Sequence, residues 1–207
     1  MLACALLVFT ASARAQDVAA LAAKVDAHYN RLKSLETQYT EHYAGMGIER
    51  TERGTLLLKK PGRMRWSYAA PAGKLFVLDG KFAWFYAPGD AQVQRVPAKQ
   101  LDDLRSPLRF LLGHTQLQKE LGGLTVRAVG TNFVLSGVPK GMEQRVKSLA
   151  LTVTAEGAIV GMRLEEIDGA VTEFSFSGMK ENVPAKDSDF VFIPPAGVPV
   201  VDGLPPV

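Results

Sequence analysis

Chemically reactive side chains are scarce in this sequence. The only cysteine is Cys4, inside an apolar N-terminal stretch, and the only histidines are His28, His42 and His114. No two of these histidines are spaced as metal ligands, and without thiols a zinc site would have to be assembled from scattered carboxylates. The chain has no phosphate-cradling glycine loop followed by Lys and Ser or Thr, and no serine set between glycines in a nucleophile elbow. The Asp187 and Asp189 pair reads as a solvated turn. Catalysis needs tunable groups gathered in one cleft, so these absences point to a protein that is not an enzyme and that works without a metal, nucleotide or other cofactor.

Long apolar runs are missing too. Nothing approaches the roughly 18 residues that a membrane-spanning helix requires. The formal net charge of +3 is too small to imply nucleic acid as a partner. Acids are absent locally from residues 59 to 74, a stretch that holds Lys59, Lys60, Arg63, Arg65 and Lys74. Its part from Lys59 to Arg65 reads equally well as a solvated face or as a docking patch.

What the sequence does contain begins with MLACALLVFTASARA. An apolar run from Leu2 to Phe9 leads into small residues ending at Ala13 and Ala15, the pattern of a secretory signal cleaved after Ala15. No Lys or Arg precedes the run, a departure from the usual charged start. Cys4 lies within the run rather than after it, as a lipidation site would. The product expected is a soluble exported protein of one domain, residues 16–207, free of thiols as suits an oxidising compartment.

Val18, Leu21, Ala22, Val25, Tyr29, Leu32 and Leu35 recur at three- and four-residue spacing, which predicts one amphipathic helix over 17–35. Beyond Thr37 the period changes to two. Met64, Trp66 and Tyr68 alternate with Arg63, Arg65 and Ser67, and turn signals such as Pro61-Gly62, Asp79-Gly80 and Asp168-Gly169 separate short β-rich runs. About eleven strands result, too many for a strongly twisted open sheet to stay flat, so the sheet should curl. Leu149, Leu151 and Val153, then Val160, Met162 and Leu164, then Phe174 and Phe176 hold alternate positions on successive strands and should share the concave face. For Trp66, Phe82, Trp84 and Tyr86, core packing and ligand lining both stand as readings.

The stretch LDDLRSPLRFLLGHTQLQKEL interrupts the strands. Ser106 is a good N-cap, Pro107 suits the first turn and Gly113 the stop, which predicts a short helix over 107–112. Leu108, Phe110, Leu111 and Leu112 leave Arg109 as its only polar residue, so this helix must cover something or be covered.

Four stretches together resemble the periplasmic outer-membrane lipoprotein carriers, the LolA family. They are GTLLLKKPGRMRW at 54–66, LDGKFAWFYAP at 78–88, SPLRFLLGH at 106–114 and FVFIPPAGVPVVD at 190–202. The resemblance implies a mainly β fold with α elements: an unclosed antiparallel β-barrel, or half-barrel, with an N-terminal helix and a helical lid. It implies a monomeric carrier that takes lipoprotein acyl chains from an ATP-driven inner-membrane complex and hands them to an outer-membrane receptor. Met64, Trp66, Trp84, Leu149, Leu151, Val153, Met162, Leu164, Phe174 and Phe176 would then line the cavity, and Leu108, Phe110, Leu111 and Leu112 would form the lid. Where the family carries arginine before the first proline this chain has Lys60, which inherits the place of the lid latch. A periplasmic sensor of lipid or lipoprotein, or a carrier of another lipid, would use the same fold.

Overall fold

A computed structural model describes residues 10–103 and 116–203. Helix α1 runs from Thr10 to Arg31, starting before the expected cleavage site and stopping four residues short of the predicted end. The reason for the early stop lies in the next element. Leu35, assigned to the helix by its spacing, belongs instead to strand β1, Ser34–Gly45, where Leu35, Thr37 and Tyr39 are all buried at alternate positions. The sheet also captures the backbone at the junction. The Lys33 N–H donates to the Asn182 side chain at 2.9 Å, and the Lys33 carbonyl accepts from the Lys60 N–H at 2.9 Å.

After β1 come β2 (Ile48–Lys59), β3 (Arg63–Ala70), β4 (Ala72–Leu78), β5 (Phe82–Tyr86) and β6 (Val93–Pro97). Two short helices follow, α2 (Ala98–Asp103) and α3 (Leu117–Glu120). The helix predicted over 107–112, with Leu108, Phe110, Leu111 and Leu112, lies outside the described residues. The second half of the sheet is β7 (Leu121–Val129), β8 (Asn132–Pro139), β9 (Val146–Val153), β10 (Ile159–Glu166) and β11 (Val171–Glu181). A 3-10 turn at Asp187–Phe190 leads to the last strand, β12 (Val200–Asp202).

All twelve strands form one sheet in the order β12-β6-β5-β4-β3-β2-β1-β11-β10-β9-β8-β7. It is an unclosed barrel, mostly antiparallel, one strand larger than predicted. The extra strand is β12, which pairs in parallel with β6 and is only three residues long. So short a segment in a Pro- and Gly-rich tail shows no period of two.

One face of the sheet and α1 share a single apolar cluster. Leu21, Ala22, Val25, Tyr29 and Leu32 of the helix join Leu56, Leu58, Met64, Trp66, Leu135, Leu149, Leu151 and Met162 of the sheet. The helix is seated by specific contacts: the Tyr29 hydroxyl accepts the Ile159 N–H at 3.0 Å, and Lys24 donates to the Ala155 carbonyl at 3.2 Å. Gly157 lets the β9–β10 turn come this close. Its φ is +91°, and a Cβ there would lie 2.8 Å from the Lys24 backbone.

Candidate functional site

The inner face can be followed strand by strand from the register. Val126 lies opposite Leu135, Leu135 opposite Leu151, Leu151 opposite Met162, and Met162 opposite Phe174. A second row pairs Leu149 with Leu164. Phe176, also on β11, opposes Tyr39 of β1, and on the far side of β1 Leu56 opposes Trp66 and Leu58 opposes Met64. Aromatic contacts join the two halves: Tyr39 to Trp66 at 4.5 Å, Trp66 to Phe174 at 5.6 Å, and Phe174 stacked on Phe176 at 6.0 Å. The Trp66 indole N–H donates to the Met64 sulfur at 2.9 Å. Met64, Trp66, Leu149, Leu151, Val153, Met162, Leu164, Phe174 and Phe176 are thus brought to one face, all buried except the half-buried Phe174. Leu56, Phe76 and Leu135 belong to the same wall and were missed. Their signal was the continuation of the period of two from neighbouring strands.

Trp84 is a correction. It pairs with Val77 and Arg95, while the inward positions of β5 are Ala83 and Phe85, the latter 4.8 Å from Phe76. Trp84 faces the other way, with its indole N–H donating to Asp79 at 2.8 Å and its ring 5.7 Å from Phe192. The sequence FAWFY is apolar on both faces, so alternation alone could not tell which face points inward. The C-terminal segment folds back over this outward face. Phe192 also approaches Tyr86, and the Arg95 guanidinium lies over the Phe82 ring at 4.7 Å while pairing with Asp202 at 2.8 Å.

The acid-free basic stretch is neutralised from elsewhere in the chain. Lys59 and Arg63 meet Asp187 at 2.6 and 3.1 Å, and Arg65 reaches the carbonyls of Asp189 and Val191 at 3.5 Å. Lys74 crosses to Glu52 on the inner face, donating to both carboxylate oxygens at 2.7 Å. Lys60 donates to the carbonyls of Tyr29 and Asn30 at the end of α1, and burial pulls its pKa below the usual lysine value. Among the described residues no group of three or more His, Cys, Asp or Glu is placed to hold a metal ion, and no helix is long and apolar enough to cross a membrane.

An unclosed sheet with α1 packed against its apolar inner face is the frame implied by the motifs at 54–66 and 78–88. Residues 31–193 match a family model described as outer membrane lipoprotein carrier protein LolA. The chain belongs to this family. A protein of Nitrosospira multiformis described as an outer-membrane lipoprotein carrier protein is 33% identical over 156 residues, covering 74% of each chain. One of Sodalis glossinidius with the same description is 29% identical over 94% of this chain and 92% of its own.

Among solved structures, an uncharacterized conserved protein of Thermus thermophilus has a TM-score of 0.56 at 12% identity, over 91% of this chain and 99% of its own. The Mycobacterium tuberculosis lipoprotein LppX follows at 0.50 and 12% identity, over 81% and 97%. At such identities these likenesses speak to the fold alone. For a LolA family member the positions of interest are therefore the inner wall, the α1 junction at Lys60 and the segment 106–114, the last of which lies outside the described residues.

Proposed function

We propose that this LolA family member is a periplasmic carrier that shelters lipoprotein acyl chains against the inner wall and moves them from the inner to the outer membrane. The observation that carries this reading is the unbroken apolar wall from Val126 through Leu151 and Met162 to Phe174 and Trp66, held in a sheet that does not close. The physics of the task explains the need. Each methylene brought into water costs about 0.8 kcal/mol, so one sixteen-carbon chain costs roughly 12 kcal/mol to desorb unaided. A wall of Leu, Val, Met and Phe offsets that cost through non-directional contacts, which give way more readily on handover than a polar clamp would.

In this reading the energy for loading comes from an ATP-driven complex in the inner membrane, and the cargo passes to an outer-membrane receptor. The carrier itself makes and breaks no covalent bond. Leu108, Phe110, Leu111 and Leu112 form the cover of the wall. Lys60 acts in this reading by fixing the end of α1. The test is binding of a fluorescent fatty-acid probe to the monomeric mature protein, together with mass spectrometry of what co-purifies from cells. Saturable binding insensitive to chelator, with acylated protein in the eluate, is the expected result. A protein that binds no probe and carries no lipid refutes the reading.

A further inference from the structure

The inner wall is not apolar along its whole length. β1 follows α1 directly and leads away from it, placing Leu35, Thr37, Tyr39, Glu41 and Tyr43 at successive inward positions. Glu41 is six residues from Leu35, about 20 Å along the strand. It lies opposite Phe174 on one side and Glu52 on the other. Glu52 is only 7% exposed, the one buried carboxylate among the described residues, and both its oxygens are taken by Lys74. The Lys74 ammonium also sits 4.4 Å from the centre of the Tyr68 ring.

Two groups here have hydrogen-bonding capacity to spare. The Glu41 carboxylate accepts no hydrogen bond from any described residue, and burial together with Glu52 pushes its pKa up. The Tyr39 hydroxyl is buried without an aligned hydrogen bond to any described residue, its polar neighbour being the Tyr68 hydroxyl, and the residue is only 2% exposed. Its ring packs against Trp66 and Tyr68, so the hydroxyl marks the border between the apolar wall and the polar end. Gly54 makes room at this border. It faces Tyr39 on one side and Tyr68 on the other, and a Cβ there would collide with the Ser67 carbonyl. A buried hydroxyl without an aligned partner and a desolvated carboxylate are costly, and a ligand that supplies well-aligned partners regains that cost.

We propose that Tyr39 and Glu41 form a head-group subsite for an amide-linked acyl chain: the Tyr39 hydroxyl donates to the amide carbonyl and Glu41 accepts the amide N–H. This rests on the reading of the inner wall as an acyl-binding surface and adds polarity to it. With its chain along Phe174 and Trp66, such a ligand brings its polar junction to these two side chains. An anionic head group is disfavoured, because it would meet Glu41 and Glu52, while of the two cations acting on Glu41 the Lys74 ammonium is already bonded twice to Glu52 and the Arg50 guanidinium sits over the Tyr43 ring.

Calorimetric titration of the mature protein with N-methyldodecanamide and with dodecanoate, both below their aggregation limits at pH 8, tests the subsite. The amide is expected to bind about tenfold more tightly, as one hydrogen bond to a charged group predicts. Glu41→Gln and Tyr39→Phe should each shrink that ratio while dodecanoate affinity holds or rises, and circular dichroism melting verifies that both variants are folded. Equal affinities in the wild type, or a ratio unmoved in both variants, overturns the subsite while the acyl-binding wall stands. Binding of neither amphiphile overturns both. Should Tyr39→Phe fail to fold, Glu41→Gln alone decides, since its side chain is isosteric and hydrogen-bonded to no described residue.

Discussion

The Lys60 ammonium donates to the main-chain oxygen of Tyr29 at 2.7 Å, so the end of β2 holds the last turn of α1. A helix C-terminus leaves carbonyls unpaired and carries partial negative charge, and a lysine supplied by a neighbouring strand answers both. The bond also explains why the lysine tolerates partial burial.

Replacing Lys60 with Leu should therefore cost about 1 kcal/mol of stability by thermal unfolding, with Lys60→Arg close to wild type. In a handover assay with purified loaded carrier and receptor, Lys60→Leu should also transfer cargo at a changed rate, because the end of α1 is released. Identical melting curves for Lys60→Leu and wild type would show that the bond contributes nothing.

His28 gives the pH dependence. Burial, opposed by Glu181 and aided by the Arg31 charge, lowers its pKa below 6.5. Its Nε2 lies 2.9 Å from a Glu181 oxygen, yet it is buried without an aligned hydrogen bond. Because the folded pKa is depressed, the unfolded chain takes up a proton first as pH falls. Stability is thus complete above the unfolded value near 6.5 and is lost as pH falls through the folded pKa. Denaturant midpoints measured from pH 8 down to 5 should show this decline, and His28→Gln should flatten it. A His28→Gln slope equal to that of the wild type would assign the decline to other groups.

Phe174 and Trp84 separate the two faces of the sheet. Phe174→Ala should lower acyl-probe affinity about tenfold at a stability cost of about 2 kcal/mol, since the ring is half-buried on the inner wall. Trp84→Ala should leave probe affinity within about twofold of wild type while removing the contacts to Asp79 and Phe192. Limited proteolysis should then cut the C-terminal segment of the Trp84 variant first. A loss of probe binding in Trp84→Ala would place that side chain back among the cargo contacts.

Cleavage of the exported form is expected after Ala15, within α1. Intact mass should match a chain beginning at Gln16; a product retaining Leu2 to Phe9, or one lipid-modified at Cys4, would redirect the assignment of compartment or anchorage.

The strands of the second half were legible because Leu149, Leu151, Val153, Met162, Leu164, Phe174 and Phe176 alternate cleanly and antiparallel register keeps alternation on one face. Trp84 was not, because both faces of β5 are apolar. The helix end at Arg31 was obscured by coincidence: Leu35 satisfies helical spacing from Leu32 and strand spacing to Thr37 at once. Glu41, Glu52 and Lys74 were invisible for a different reason. Charged residues in an alternating run read as solvated, and only the register of β1, β2 and β4 turns them inward. The basic stretch at 59–74 read as unneutralised because its partner Asp187 lies far along the chain.

The parallel pairing of β12 with β6 has a consequence for the order of assembly. Val93 to Arg95 find their strand partner in Val200 to Asp202, the last of the described strands to emerge during synthesis or translocation. Until that moment the β6 border of the sheet offers bare N–H and C=O groups to any passing chain. The finished molecule therefore seals its own seam in its closing step. A version cut after Phe190 should survive as a fold yet recruit copies of itself along β6, in dimers or longer strings that grow with concentration.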